Sequence, residues 1–116
     1  MSSPSAASRL TIDIERSPDA VVVRCRGELV AGVTDVLYRQ VRPLFPDTKR
    51  VVLDLKELTY LDSMGLGVII RLYVSGKAAG CSLELANIGA RVRQMLGITH
   101  LISVLTVIGE NNIRMP

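Results

Sequence analysis

Tyr60 to Leu72 reads YLDSMGLGVIIRL, and its front half is an unusual way to begin a helix. Asp62 and Ser63 stand side by side, and Gly65 and Gly67 then interrupt the start of an apolar run. Each glycine costs a helix about 1 kcal/mol relative to alanine. A helix start has four free N–H groups and the positive end of the dipole, so it favours anionic groups. A serine hydroxyl exposed there would carry a phosphate close to those amides. Gly65 and Gly67 would let another backbone or a partner surface approach it closely. A structural reading competes with this one. Asp-Ser before an apolar run is a common N-cap, and the glycines would serve tight helix–strand packing. Spacing alone leaves both open.

Other uses of the serine are poorly supplied. The nucleophile elbow G-x-S-x-G needs a glycine where Leu61 stands, and the phosphate loop G-x-x-x-x-G-K-[ST] is absent. His100, the only histidine, is a candidate base, but no motif ties it to Ser63, and a lone histidine at a helix-to-strand turn reads as structural. Asp54 lies inside a strand-like run, as does the phospho-acceptor of response-regulator receivers. Those domains also need an acidic pair after their first strand, and IERSPDAV offers nothing comparable. The carboxylates are too dispersed for a metal site or a glycosidase pair, so neither a metal nor a cofactor is expected. Cys25 and Cys81 match no metal spacing and read as small buried hydrophobes with free thiols.

The elements that must position Ser63 alternate along the chain. RLTIDIE at residues 9–15 alternates apolar and polar as a half-buried strand does. SPD supplies turn chemistry, and AVVVRCRG is a second strand ended by Gly27, so these two strands are expected to form a hairpin. Val33, Val36, Leu37, Val41 and Leu44 follow helical spacing, with Pro43 and Pro46 closing the segment. RVVLDLKEL reads as a central strand buried on both faces. The helix beginning at Asp62-Ser63 is expected to place Leu66, Ile69, Ile70, Tyr73 and Val74 on one side and to end near Gly80. SLELA, IGARVRQMLG and ISVLTVI then read as strand, helix and strand. The order ββαβαβαβ predicts an α/β domain with one mixed sheet of about five strands and helices packed against it.

With 116 residues there is room for one domain. Residues 1–8 are expected to be a disordered tail, 9–108 the domain and 109–116 a short tail. The hydrophobic fraction of 48% lies in Val, Leu and Ile, which suits α/β layers, because aromatics make up only 3%. No apolar run reaches the length of about 18 residues needed for a membrane span, and MSSPSAAS has no hydrophobic segment, so a cytoplasmic protein is expected. The net charge of +3 raises the question of nucleic acid. The basic residues are scattered, however, and bases would find almost nothing to stack on.

VVLDLKELTYLDSMGLGVIIRLY, followed by GCSLELANIGARVRQMLGITHLISVL, strongly resembles the STAS domain of bacterial anti-sigma factor antagonists. The likeness runs from about Leu10 to Val107. Its centre is D-S-x-G-L-G, met by Asp62, Ser63, Met64, Gly65, Leu66 and Gly67, with support from Gly27-Glu28-Leu29 and QMLGITHL. The resemblance implies a non-enzymatic switch. Its partner would be an anti-sigma factor that is also a serine kinase of the histidine-kinase-like ATPase fold. The unphosphorylated antagonist binds that partner and frees a sigma factor. Phosphorylation at the serine matching Ser63 ends the binding, and a serine phosphatase restores it. The implied binding residues are Asp62 to Gly67 with Glu28 and Val30.

Two positions depart from the family pattern. Val30 stands where relatives commonly carry an aspartate near the serine, and Met64 where many carry Ser or Thr. Val30 is expected at the edge of the contact, and an aspartate restored there would raise the phosphorylation rate about tenfold by positioning the hydroxyl. Read instead as an apolar surface or core residue, it would lose only stability to an aspartate. Two other roles compete. One is a STAS subunit of another assembly, such as a lipid-transport ABC complex or a signalling scaffold. The other is a serine hydrolase using Ser63 and His100.

Overall fold

The computed structural model describes residues 9–90 and 92–94. Within them the chain builds β1 (Leu10–Arg16), β2 (Val21–Leu29), α1 (Thr34–Val41), a 3-10 turn (Arg42–Asp47), β3 (Arg50–Leu61), α2 (Ser63–Ala78) and β4 (Ser82–Ala86). The four described strands form one mixed sheet in the order β1-β2-β3-β4. The expected fifth strand, the tails and His100 lie outside the described residues, as do residues 91 and 95–97 of the expected helix from Ile88 to Gly97, of which Ala90 and residues 92–94 are helical.

β1 and β2 are the expected antiparallel hairpin, from Leu10 opposite Gly27 to Arg16 opposite Val21. Its turn is closed by Ser17, whose amide and hydroxyl both donate to the Ala20 carbonyl at 2.9 Å. β3 pairs in parallel with β2 on one side and β4 on the other, so each crossover needs a connecting helix. α1 and α2 supply these connections. One core joins Val21, Val23 and Cys25 of β2, Val51, Leu53 and Leu55 of β3, and Leu83 and Leu85 of β4 to Leu37 and Val41 of α1 and Leu66, Ile69 and Leu72 of α2.

α1 is shorter than its apolar spacing suggested. Pro43 has no N–H to donate, so the α-helical hydrogen-bond ladder is broken there and the chain tightens into the 3-10 turn after Val41. Leu44 and Phe45 are still buried from that turn. β2 runs two residues past Gly27, which takes φ +108 where the ladder with β3 slips. A side chain there would meet the Arg9 carbonyl.

β3 contains the least regular pairing in the sheet. Arg24 and Arg26 face Asp54 and Glu57, and Gly27 and Glu28 face Leu58 and Tyr60, so β3 gains one residue at each of two bulges. An ordinary strand buries every second residue. Here the inward residues become Leu55, Leu58 and Leu61, three apart, with outward pairs Lys56-Glu57 and Thr59-Tyr60 between them. Side chains satisfy the disturbed backbone. Asp54 Oδ1 accepts the Lys56 amide at 3.0 Å, and Thr59 Oγ1 donates to the Gly27 carbonyl at 3.0 Å. The bulges carry β3 to Leu61, and α2 begins two residues later.

α2 buries Gly65, Leu66, Val68, Ile69, Leu72 and Gly76. Val74, expected on the inner side, is exposed. Glycine has no apolar side chain to count, so a reading from large residues misses Gly65 and Gly76 and rotates the stripe. Gly76 lies against the Cys81 carbonyl and the Phe45 ring, and the Cys81 amide donates to Gly76 O at 2.8 Å as the helix ends.

Candidate functional site

The end of β3 delivers Asp62 to the N-cap of α2 in extended conformation, and Ser63 becomes the first helical residue. Asp62 Oδ1 accepts the Gly65 amide at 2.9 Å, which satisfies one of the free donors of the helix start. Oδ2 accepts the amide of Ala31 at 2.9 Å, and the Asp62 amide donates to Leu29 O at 3.3 Å. Asp62 therefore joins the start of α2 to the turn that follows β2. Partial burial works against its charge, but the amides of Ala31, Gly65, Met64 and Asp62 itself outweigh it and hold the carboxyl below its ordinary range.

That depression fixes the sign of a pH effect. The stability due to Asp62 is present above its unfolded value of about 3.9 and is lost as pH falls through the lower folded value. Asp62→Asn is expected to flatten part of the acid limb of a urea-stability profile. Asp62→Ala should cost about 1 kcal/mol through the lost cap at neutral pH. An acid limb identical in wild type and Asp62→Asn would show that the carboxylate contributes no such stability.

Ser63 and Met64 are exposed on the first turn of α2, and Tyr60 is exposed just before it. Met64 is 58% and Tyr60 41% accessible, so two of the large apolar side chains that the described residues leave in water lie within four positions of Ser63. Glu28, also exposed, sits opposite Tyr60 in the ladder and pairs with Arg9 at 3.6 Å. Gly67 is exposed, with no atom near enough to meet an added Cβ. Ser63, Met64 and Gly67 thus share an open surface at the start of α2.

Three residues expected on that surface belong to the interior. Gly65 is buried because its Cα rides on the β2 backbone. A Cβ there would run into the Leu29 carbonyl oxygen and come within 2.9 Å of Leu61 Cδ1. Close packing accounts for Gly65, while Gly67 keeps the open-surface reading. Leu66 turns into the core at 4% exposure, and Val30 is buried among core residues at 6%. This burial favours the competing reading, in which Val30 is a core residue and an aspartate would place a carboxylate in an apolar setting. Val30→Asp is expected to cost about 2 kcal/mol in urea unfolding. Unchanged stability would mean that the carboxylate finds a partner at that position.

The parts of the site missed from sequence are Ala31, whose amide meets Asp62 across 31 residues, and Tyr60, which the second bulge turns outward. Tyr60 had a signal in its place directly before the L-D-S run. Ala31 had none.

Asp54 lies away from this surface. A hollow of about 240 Å³ over the middle of the sheet has Arg24, Arg26, Asp54, Glu57 and Asn87 in its lining. Most of its charges are matched internally, Arg24 to Glu15 and Asp54 and Arg26 to Asp13 and Glu57, and the neutral Asn87 amide donates to Asp54. Cys25, beneath it, is a free buried thiol whose pKa burial pushes up to about 12, so it is protonated and inert at neutral pH. No helix among the described residues is long and apolar enough to cross a membrane.

A model of the STAS domain family matches residues 11–112. The chain is 28% identical over 98 residues to the anti-sigma-B factor antagonist of Bacillus subtilis (strain 168), covering 84% of this chain and 90% of that protein. Its fold is similar to the crystal structure of an anti-sigma factor antagonist from Mycobacterium paratuberculosis, with a TM-score of 0.74 and 23% identity over 88% of this chain and 87% of the other. It is also similar to the Bacillus cell fate determinant SpoIIAA in the phosphorylated form, with a TM-score of 0.63 and 18% identity over 80% and 86% of the two chains.

Proposed function

The chain belongs to the STAS domain family, and we propose that it is an anti-sigma factor antagonist switched by phosphorylation at Ser63. The observation that carries this reading is the exposed hydroxyl at the first position of a capped helix, with apolar Tyr60 and Met64 exposed beside it. Unmodified, this surface docks on an anti-sigma factor that is also a serine kinase of the histidine-kinase-like ATPase fold, and the sigma factor is released. The kinase transfers the γ-phosphoryl group of ATP to Ser63 Oγ. The hydroxyl proton is lost and ADP leaves. A serine phosphatase reverses the modification by hydrolysis.

The switch is a change of charge on an apolar contact. Phosphoserine adds about −1.5 to −2 charges with their hydration, and docking would have to strip that water away. The helix start tolerates an anion, so binding is lost without unfolding the domain. The role carried by the names of the Bacillus subtilis and Mycobacterium paratuberculosis relatives supports this reading, as does the existence of a phosphorylated form of SpoIIAA.

Calorimetry with the purified partner kinase tests it. Ser63→Ala is expected to bind persistently in the presence of ATP. Ser63→Asp should bind at least tenfold more weakly, the scale of a lost charge-sensitive contact. Gly67→Trp should abolish docking by bulk while the circular dichroism spectrum stays folded. A phosphosite mapped elsewhere, with Ser63 unmodified beside an active kinase, would sink the reading.

A further inference from the structure

Both oxygens of the Asp62 carboxylate are engaged, and in different segments. Oδ1 holds the Gly65 amide of α2 and Oδ2 holds the Ala31 amide after β2, each at 2.9 Å. Ala31 and Gly32 are exposed, while Val30 and Val33 on either side are buried. The Val33 amide donates to the Val30 carbonyl at 3.1 Å, so the base of this turn is anchored by its valines. Its outer part is held by the carboxylate next to Ser63.

We propose that a phosphoryl group on Ser63 loosens the Ala31–Gly32 turn by displacing the Asp62 carboxylate from the Ala31 amide. This rests on the reading of Ser63 as the phospho-acceptor and adds a second segment to its regulation. Phosphorylation puts two anions on adjacent residues at one set of helix-start amides. The phosphoryl group brings three strong acceptor oxygens and repels the carboxylate. The Gly65 amide passes from one anion to the other without being left unpaired. The Ala31 amide lies across the gap, on an exposed turn, and turns to water instead. The loss therefore falls on the turn rather than on the helix. The surface presented to a partner then changes in two places, at α2 and beside it.

Hydrogen exchange resolved at single amides tests this on the full chain, with phosphoserine incorporated at position 63 during translation so that no kinase is needed. Exchange at Ala31 is expected to speed up about tenfold, the equivalent of one pKa unit of weakened interaction. Exchange at Gly65 and at core residues Leu53 and Ile69 should stay unchanged. In Asp62→Asn the side chain can accept only one of the two amides. Ala31 should then exchange fast with serine at 63, and phosphoserine should add nothing. Unchanged Ala31 exchange in the phosphoserine protein overturns the proposal, even where partner binding is lost. Protection lost throughout β2 and α2 also overturns it. Undiminished binding of phosphoserine protein to the partner kinase overturns the functional reading separately, even where Ala31 responds.

Discussion

Gly65→Ala is expected to destabilise the domain by about 3 kcal/mol, although alanine is the better helix former. The added methyl would meet the Leu29 carbonyl oxygen and lie 2.9 Å from both the Leu29 carbonyl carbon and Leu61 Cδ1. Backbone on backbone leaves no flexible side chain to swing aside. Either α2 lifts from β2, exposing part of the Leu66 and Ile69 contact, or the Leu29–Ala31 segment moves and loses Asp62. Gly67→Ala is the control two residues away, where nothing lies near the added methyl, and it should stabilise by up to about 1 kcal/mol. Urea unfolding of both variants reads the difference. Equal effects would mean that the helix start is not seated on β2 as described.

Arg50→Ala should cost about 2–3 kcal/mol, less than the loss from a fully buried ion pair because the Arg50 side chain is 32% exposed while its partner is buried. Glu84 on β4 is 3% exposed and stands out as a buried charged residue among those described. Arg50 on β3 meets both its oxygens, Nε to Oε2 at 3.0 Å and a terminal nitrogen to Oε1 at 2.8 Å, and Ser82 Oγ adds a bond at 3.4 Å. The hydrogen bonding to Glu84 is the leading reason the Arg50 guanidinium holds its proton more tightly than usual. Among the described residues, removing Arg50 leaves Glu84 without the cation it pairs with across the β3–β4 ladder. Arg50→Lys should recover only part of the loss, because an ammonium does not match two carboxylate oxygens at once. If Arg50→Ala unfolds at the wild-type urea midpoint, the carboxylate is not buried at that position.

Local chemistry was legible from sequence where it acts through neighbours in the chain. The hairpin of β1 and β2 follows from alternation around a Ser-Pro-Asp turn, and the start of α2 from Asp62 standing before an apolar run. β3 was likewise readable as a strand as far as Leu58, but its burial on both faces is continuous only from Val51 to Leu53, and Lys56 and Glu57 face water. What stayed hidden depends on residues far apart in sequence. Nothing near Gly65 announces that Leu29 will lie under it, and nothing near Ala31 announces Asp62. Val30 illustrates the same limit. Its place in a family pattern pointed to the contact surface, whereas its packing among core residues gives it a structural task.

The two bulges of β3 also bear on how such chains should be aligned. Each inserts a single residue into the strand while Leu55, Leu58 and Leu61 stay in the core. A homologous strand that pairs regularly would reach the start of its following helix with one or two fewer residues. The gap then belongs at Lys56 or Thr59, inside the strand, rather than in the loop before or after it. Moving the gap into a loop would shift Asp62 and Ser63 out of correspondence with the helix start they occupy.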